Sequence, residues 1–201
     1  LLPGGKLIGI DCDQDALKAA GERLAAYKDA FQAVKANYCS LKEIVRQLDL
    51  ERVDGLFFDL GVSSFQLDCR ERGFSYREDV LLDMRMDRDL PQTAADLLQN
   101  LSRQQLAKVF WEFGEEKWAR RIASFIVRYR LQEGAITHSS QLVDIIKAAV
   151  PVAGRRKGHP AKRIFQALRI AVNRELDNLK NGLSSGLDIL CQEGRIVVLS
   201  Y

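Results

Sequence analysis

The sequence predicts an α/β protein built on an open, mostly parallel sheet and interrupted by an all-helical insert. Three observations carry this. Short apolar runs closed by an acid, such as Leu7 to Asp11 and Leu56 to Asp59, alternate with stretches of helical period up to Leu60. Between about Asp68 and Gly158 no convincing strand is found, only amphipathic helices. After Gly194 a run of the central-strand type returns, Arg195 to Ser200.

The first strand is Leu7-Ile8-Gly9-Ile10-Asp11, and Leu17, Ala20, Leu24 and Tyr27 then recur at helical spacing. Phe31 to Ala36 is the second strand. Ser40, with Glu43 three residues on, is a capping box for a helix whose apolar face is Leu41, Ile44, Val45 and Leu48. Leu56 to Leu60 is the third strand, apolar on both faces as a strand inside a parallel sheet should be. In the helical part, Thr93 caps Ala94 to Leu101, and Ser102 with Gln105 opens Leu106, Val109, Phe110 and Phe113, which Gly114 ends. Trp118, Ile122, Phe125, Ile126 and Tyr129 form the next face. Leu142, Val143, Ile146 and Val150 form the one after, stopped by Pro151. A single long helix from Pro160 through Ile164, Leu168, Val172, Leu176 and Leu179 leads back to the sheet. The expected organisation is 1–67 and 159–201 for the α/β core, with 68–158 as the insert. Because the chain opens on a turn before a strand and stops at another strand, a fragment of a longer protein is expected.

Composition bounds the function. The 201 residues are 47% hydrophobic and 28% charged, an ordinary globular balance with a core of its own. No run is long and apolar enough for a membrane helix, and Leu1 to Lys6 lacks the layout of a signal peptide, so a cytoplasmic protein is expected. The four cysteines, Cys12, Cys39, Cys69 and Cys191, are scattered and the two histidines stand far apart, which argues against a metal site or a disulfide framework. Absence of a P-loop, a G-x-S-x-G elbow and an H-E-x-x-H motif removes Walker-type phosphoryl transfer, serine hydrolysis and zinc proteolysis.

Ligands of open α/β sheets bind beyond the carboxyl ends of the strands. Asp11, the Asn37-Tyr38 pair and Asp59 all stand at such ends. Asp11 suits ribose hydroxyls, since a carboxylate accepts two hydrogen bonds, and equally suits a helix N-cap. Tyr38 is either an adenine flank or rim packing. The run from Asp59 through Ser63, Ser64 and Gln66 to Asp68 sets polar chemistry on a rigid strand. Glu71 to Tyr76 and Leu82 to Asp87 mix polar and apolar residues without period, which reads as a long ordered loop of the kind that forms lids.

Net charge is only +3, but its distribution is uneven. From Asp144 to Glu175 no acid intervenes, while Lys147, Arg155, Arg156, Lys157, Lys162, Arg163, Arg169 and Arg174 all fall inside. Such a segment tracks a phosphate backbone, and arginine also stacks on unpaired bases. Arg155, Arg156, Lys157, Lys162 and Arg163 are therefore candidate RNA contacts, weighed against a solvated basic loop.

Five ordered blocks then carry a resemblance: Asp59-Leu-Gly-Val-Ser-Ser-Phe-Gln-Leu-Asp68, Glu71-Arg-Gly-Phe-Ser75, Leu82-Asp-Met-Arg-Met-Asp87, Gly114-Glu-Glu-Lys-Trp-Ala-Arg-Arg-Ile122 and His159-Pro-Ala-Lys-Arg-Ile-Phe-Gln-Ala-Leu-Arg-Ile-Ala-Val-Asn173. In order and spacing, over essentially the whole chain, they resemble the bacterial 16S ribosomal RNA cytosine-N4 methyltransferases (the RsmH, formerly MraW, family). The resemblance implies a class I S-adenosylmethionine-dependent, Rossmann-like methyltransferase fold whose helical insert serves RNA recognition. It implies S-adenosyl-L-methionine as cofactor and N4 of a cytidine in the decoding region of 16S rRNA, within the small ribosomal subunit, as target. Cofactor contacts carry over to Asp11, Tyr38 (where the family often has Phe), Asp59 and Gln66. The family's G-R-G-G-H-S loop falls before Leu1, its S-F-H-S-L-E-D-R segment begins at Ser200, and Phe65 stands where Pro is usual. Oligomeric state stays open, a homodimer included.

An exocyclic cytosine amine is a poor nucleophile because its lone pair is delocalised into the ring. The enzyme must hold that nitrogen about 3 to 3.5 Å from the transferable methyl and accept a hydrogen bond from it. Asp59 or an adjoining carbonyl is the candidate acceptor. The target must be unpaired or flipped, with Phe65, Phe74 or Tyr76 as stacking surface. Two other readings use the same residues: a nicotinamide-dependent dehydrogenase, for which Asp11 serves equally well, and a non-catalytic RNA-binding or ribosome assembly factor.

Overall fold

The computed structural model describes residues 4–151 and 159–200. It is a mixed α/β structure with short parallel strands, divided into two compact units, one of residues 1–61 and 175–201 and one of residues 62–174. Among the described residues no helix is long and apolar enough to cross a membrane.

The first unit holds β1 (Leu7–Asp11), α1 (Gln14–Arg23), β2 (Phe31–Lys35), α2 (Leu41–Gln47), β3 (Val53–Asp59), α9 (Glu175–Ile189) and β4 (Leu190–Leu199). β1 pairs with β2 in parallel from Leu7↔Phe31 to Asp11↔Lys35, and β3 pairs with β4 in parallel from Gly55↔Arg195 to Asp59↔Leu199. These two ladders are separate, whereas one open sheet was expected. A continuous sheet needs β1 and β3 bonded directly or through another strand, and the described residues supply neither. One small core joins them: Leu41, Val45, Phe58 and Ile189 are buried together, with Ile10, Tyr38, Leu56 and Ile196 packed against them. Gly182 and Gly186 let α9 lie close, since a Cβ would meet Tyr38 Cδ2 at 2.7 Å and Leu56 Cδ1 at 2.8 Å.

Several local expectations are corrected. α1 ends at Arg23, and Tyr27 sits in a 3-10 turn, 64% exposed. Ser40 makes no side-chain cap for α2; it closes a 3-10 turn begun by Asn37, whose Oδ1 accepts from the Cys39 N–H at 2.9 Å. β3 is covered on one face only, with Phe58 buried and Phe57 66% exposed.

The second unit is helical: α3 (Ser64–Asp68), α4 (Ala94–Asn100), α5 (Arg103–Glu112), α6 (Ala119–Gln132), α7 (Ser139–Ala149) and α8 (Ala161–Asn173). The capping boxes of Thr93 with Asp96 and Ser102 with Gln105 both form as the sequence indicates. Leu98, Leu106, Phe110, Ile122, Ile126, Leu142, Ile146, Ile164 and Leu168 make one core. The long C-terminal helix is in fact two, α8 and α9. Arg174 between them takes a left-handed conformation (φ 50°), because Asn173 turns its side chain into the second unit and bonds Met84 O at 2.8 Å.

The unpatterned segment from Glu71 to Asp87 is no lid. Phe74, Leu82 and Met84 are buried in the helical core, so Phe74 offers no stacking surface. Arg72, 1% exposed, donates from one guanidinium nitrogen to Arg85 O (3.1 Å) and Met86 O (2.8 Å). Buried polar groups must find partners, and this arginine satisfies two loop carbonyls at once.

Candidate functional site

The site residues of the first unit stand where parallel strands end. Asp11 closes β1. Its Oδ1 accepts from the Asp13 N–H at 2.8 Å, and its carbonyl accepts from the Ala36 N–H at 3.1 Å, so the β1 and β2 ends are tied together. The helix-cap role that Asp11 could have filled belongs to Asp13, which accepts from the Asp15 N–H. Burial raises the Asp11 carboxyl above its ordinary value, and the neighbouring Asp13 charge adds to this, against backbone hydrogen bonds that oppose it.

Tyr38 follows β2. Its ring meets Phe58 edge-on, centroids 5.6 Å apart, and lies against Gly182 of α9. Burial, with the Glu175 charge behind it, pushes the phenol up to about 12, so it stays neutral at physiological pH. Asp59 closes β3, is exposed, and directly follows Phe58. Because successive strand side chains alternate in direction, Asp59 and Asp11 point away from the core that Phe58 and Ile10 enter. The small core thus gathers the ends of β1, β2 and β3 through Ile10, Tyr38 and Phe58, and leaves two carboxylates outside it.

In the second unit, Gln66 is 6% exposed. Its Oε1 accepts from the Ser63 N–H at 3.1 Å while Ser63 Oγ accepts from the Gln66 N–H, a capping box that the sequence reading, which has Gln66 only as a cofactor contact implied by the resemblance, did not include. The serine-glutamine spacing was the signal for this role. Phe65 is 55% exposed; Tyr76 stacks on His159, centroids 4.7 Å apart. Lys162 and Arg163 lie on the exposed face of α8, and Arg163 donates to Glu115 O at 3.1 Å. Arg155, Arg156 and Lys157 lie outside the described residues.

Two cavities of about 430 Å³ each lie elsewhere: one between Tyr76, Asp79, Asp144, Lys147 and His159, the other between Lys42, Arg46, Asp49 and Ile189. Among the described residues no cluster of histidine, cysteine and carboxylates could hold a metal ion.

Comparison with known proteins decides the lineage: the profile of the MraW methylase family matches residues 1–201. The chain belongs to the MraW methylase family. Among its MraW-family relatives, the Symbiobacterium thermophilum protein named Ribosomal RNA small subunit methyltransferase H is 50% identical over 200 residues, which are 99% of this chain and 63% of that protein. The protein of the same name from Geobacter sulfurreducens is 51% identical over 99% of this chain and 64% of its own length. That of Saccharopolyspora erythraea is 52% identical over 97% and 59%. The chain thus spans somewhat under two thirds of the length of these curated relatives. Membership of a methylase family implies the class I methyltransferase fold and S-adenosylmethionine as methyl donor.

Proposed function

We propose that the protein to which this chain belongs is an S-adenosylmethionine-dependent methyltransferase acting on N4 of a cytidine in the decoding region of 16S rRNA, in the cytoplasm. The reading rests first on family membership and on the names its relatives bear. The structural observation behind it is the gathering of three strand ends by Ile10, Tyr38 and Phe58, with Asp11 and Asp59 directed away from that core.

The donor set fits the cofactor. Asp11 has one carboxylate oxygen on the Asp13 N–H, which steadies the carboxylate, and its part in this reading is to accept from ribose hydroxyls. Tyr38 is held by Phe58 and Gly182, a rigid aromatic for the adenine side. Asp59, at the end of a paired strand, accepts the hydrogen bond of the cytosine amine and draws its lone pair out of the ring. Gln66 shapes the turn after β3 through its capping box, and the family resemblance assigns it a cofactor contact. When bound, the cofactor supplies an electrophilic methyl on a cationic sulfur. Residues 68–158 act as the RNA-recognising insert, with Lys162, Arg163 and the Arg155 to Lys157 segment as backbone contacts.

In the test, full-length protein transfers a labelled methyl from S-adenosylmethionine to N4 of a 16S cytidine. Asp59→Ala abolishes transfer, and Asp11→Ala weakens cofactor binding in equilibrium dialysis. Label on cytosine C5, or on protein, rejects the assignment.

A further inference from the structure

Helix α6 bears a second basic element, apart from the acid-free segment of the C-terminal half. From Lys117 to Gln132 there is no acid and there are five cations, Lys117, Arg120, Arg121, Arg128 and Arg130. Arg130 is committed inward, donating to Leu98 O at 2.6 Å and Leu101 O at 2.8 Å. The other four are exposed, while Ala119, Ile122, Ala123 and Ile126 fill the core from the opposite face. The Phe125 ring has the guanidinium carbon of Arg128 4.3 Å from its centroid and that of Arg121 at 5.5 Å, and Lys117 lies 5.7 Å from the Trp118 ring. Among the described residues, none of these four cations has a carboxylate at ion-pair distance. Glu116 is buried and turned to the Trp118 N–H, and Glu115 is the exposed acid at this end. Arg163 of α8 donates to the carbonyl of that same Glu115, four residues before α6 begins.

A solvated helix face ordinarily mixes both signs, because like charges gathered on one face repel one another. A guanidinium lying over an aromatic ring has its plane oriented by the contact and keeps its N–H edges available. That arrangement suits phosphate oxygens at the edges and an unpaired base on the outer plane. We infer that the outer face of α6, formed by Arg120, Arg121, Phe125 and Arg128, is a docking track for single-stranded RNA. This rests on the RNA-methyltransferase reading above, and it adds a surface to that reading without altering the reaction.

The test compares full-length wild type with a variant carrying Arg120→Gln, Arg121→Gln and Arg128→Gln together. A control carries Lys18→Gln, Arg23→Gln and Lys28→Gln, an equal charge loss on exposed cations of the first unit. Binding of a fluorescent single-stranded 16S fragment is followed by anisotropy across a salt series, with circular dichroism to verify the fold, dialysis of S-adenosylmethionine, and methyl transfer at saturating RNA. The α6 variant is expected to bind RNA about tenfold or more weaker near 0.1 M salt, with its log-log salt slope shallower by about 2, three contacts at roughly 0.7 each. Cofactor affinity and transfer at saturating RNA stay at wild-type level, and the control stays within about twofold. An unchanged slope, or an equal loss in the control, overturns the track while wild-type methyl transfer leaves the functional reading standing. Wild type that neither binds RNA nor methylates it overturns both. Equal affinity of wild type for poly-glutamate, lost in the α6 variant, reassigns the surface to an acidic protein.

Discussion

Asn173 and Met84 lock a helix end to a loop. The Asn173 amide donates to Met84 O and to Arg169 O, both at 2.8 Å, and its Oδ1 accepts from the Met86 N–H at 2.7 Å. Met84 itself is fully buried in a left-handed conformation (φ 62°). One side chain therefore satisfies both sides of a strained turn and marks the point where α8 stops. Asn173→Ala leaves a buried N–H and a buried carbonyl without this partner and is expected to destabilise the second unit by about 1 to 3 kcal/mol, read from the urea midpoint. Asn173→Asp keeps the acceptor and loses both donated bonds, so it too loses stability; a midpoint at wild-type level for either variant would sink this account.

Gly73 and Gly134 make a paired comparison. Both have positive φ, 71° and 97°, but a Cβ on Gly73 would meet Leu81 O at 2.2 Å and Asp83 N at 2.7 Å, whereas Gly134 faces open space. Gly134→Ala is expected to cost about 1 kcal/mol from backbone conformation alone. Gly73→Ala must also displace the Leu81 to Asp83 backbone, so its cost should exceed about 2 kcal/mol. Equal thermal melting of the two variants would contradict this.

Acid should loosen the same loop. Burial works against a charged Asp83, but hydrogen bonds from the Arg85 side chain and backbone, and its charge, outweigh burial and hold the carboxyl below its ordinary value. Its guanidinium spans both carboxylate oxygens, Nε to Oδ1 at 2.7 Å and Nη2 to Oδ2 at 2.8 Å. A depressed folded value means the stabilisation is present above the ordinary carboxylate pKa of about 3.9 and is lost as pH falls through the lower folded value. Asp83→Asn should flatten the stability profile in that acid window, measured by denaturant unfolding between pH 2 and 5.

The Tyr38 phenol titrates in the opposite direction. Its value is raised to about 12, so the stability tied to the neutral ring is present below about pH 10 and is lost as pH climbs through 12. In an alkaline absorbance titration, Tyr38→Phe should remove the component near 12. A wild-type curve with no such component would show the ring to be less enclosed than Phe58 and Gly182 make it.

The open face of β3 and β4 predicts how residues 1–201 behave alone. Phe57 is 66% exposed and Val197, its partner in the ladder, 53%. Exposed apolar surface of this kind promotes self-association. The isolated polypeptide should bind a hydrophobic dye and sediment above monomer mass, and Phe57→Ser should reduce both. A dye-negative monomer at high concentration would argue against it.

Local patterns were legible wherever the deciding interactions lie within a few residues. The Thr93 and Ser102 capping boxes, the β1 and β2 strands and the apolar stripe of α7 need only neighbours in sequence, and spacing found them. The family blocks were legible for the same reason, and their resemblance agrees with the family found by comparison. The break at Arg174 was not, because it depends on Asn173 meeting Met84 and Met86, residues 89 and 87 positions away. Ser40 failed as a cap because Asn37 had already begun a tighter turn ahead of it. The capping role of Gln66 was missed, although Ser63 three residues ahead carried the signal, because the resemblance had given that side chain to the cofactor.

The order of residues alone determined the element types, the acid-free stretches and the strand-end positions of Asp11 and Asp59, since periodicity and strand termini are local properties. Tertiary structure alone decided that Tyr38 lies between Phe58 and Gly182, that the Glu71 to Asp87 loop is bolted into a core, and that Arg121 and Arg128 share the ring of Phe125. Each of those depends on burial or on contacts that close only once the chain has folded, when an unmet polar group or an open apolar face costs free energy that no local pattern records.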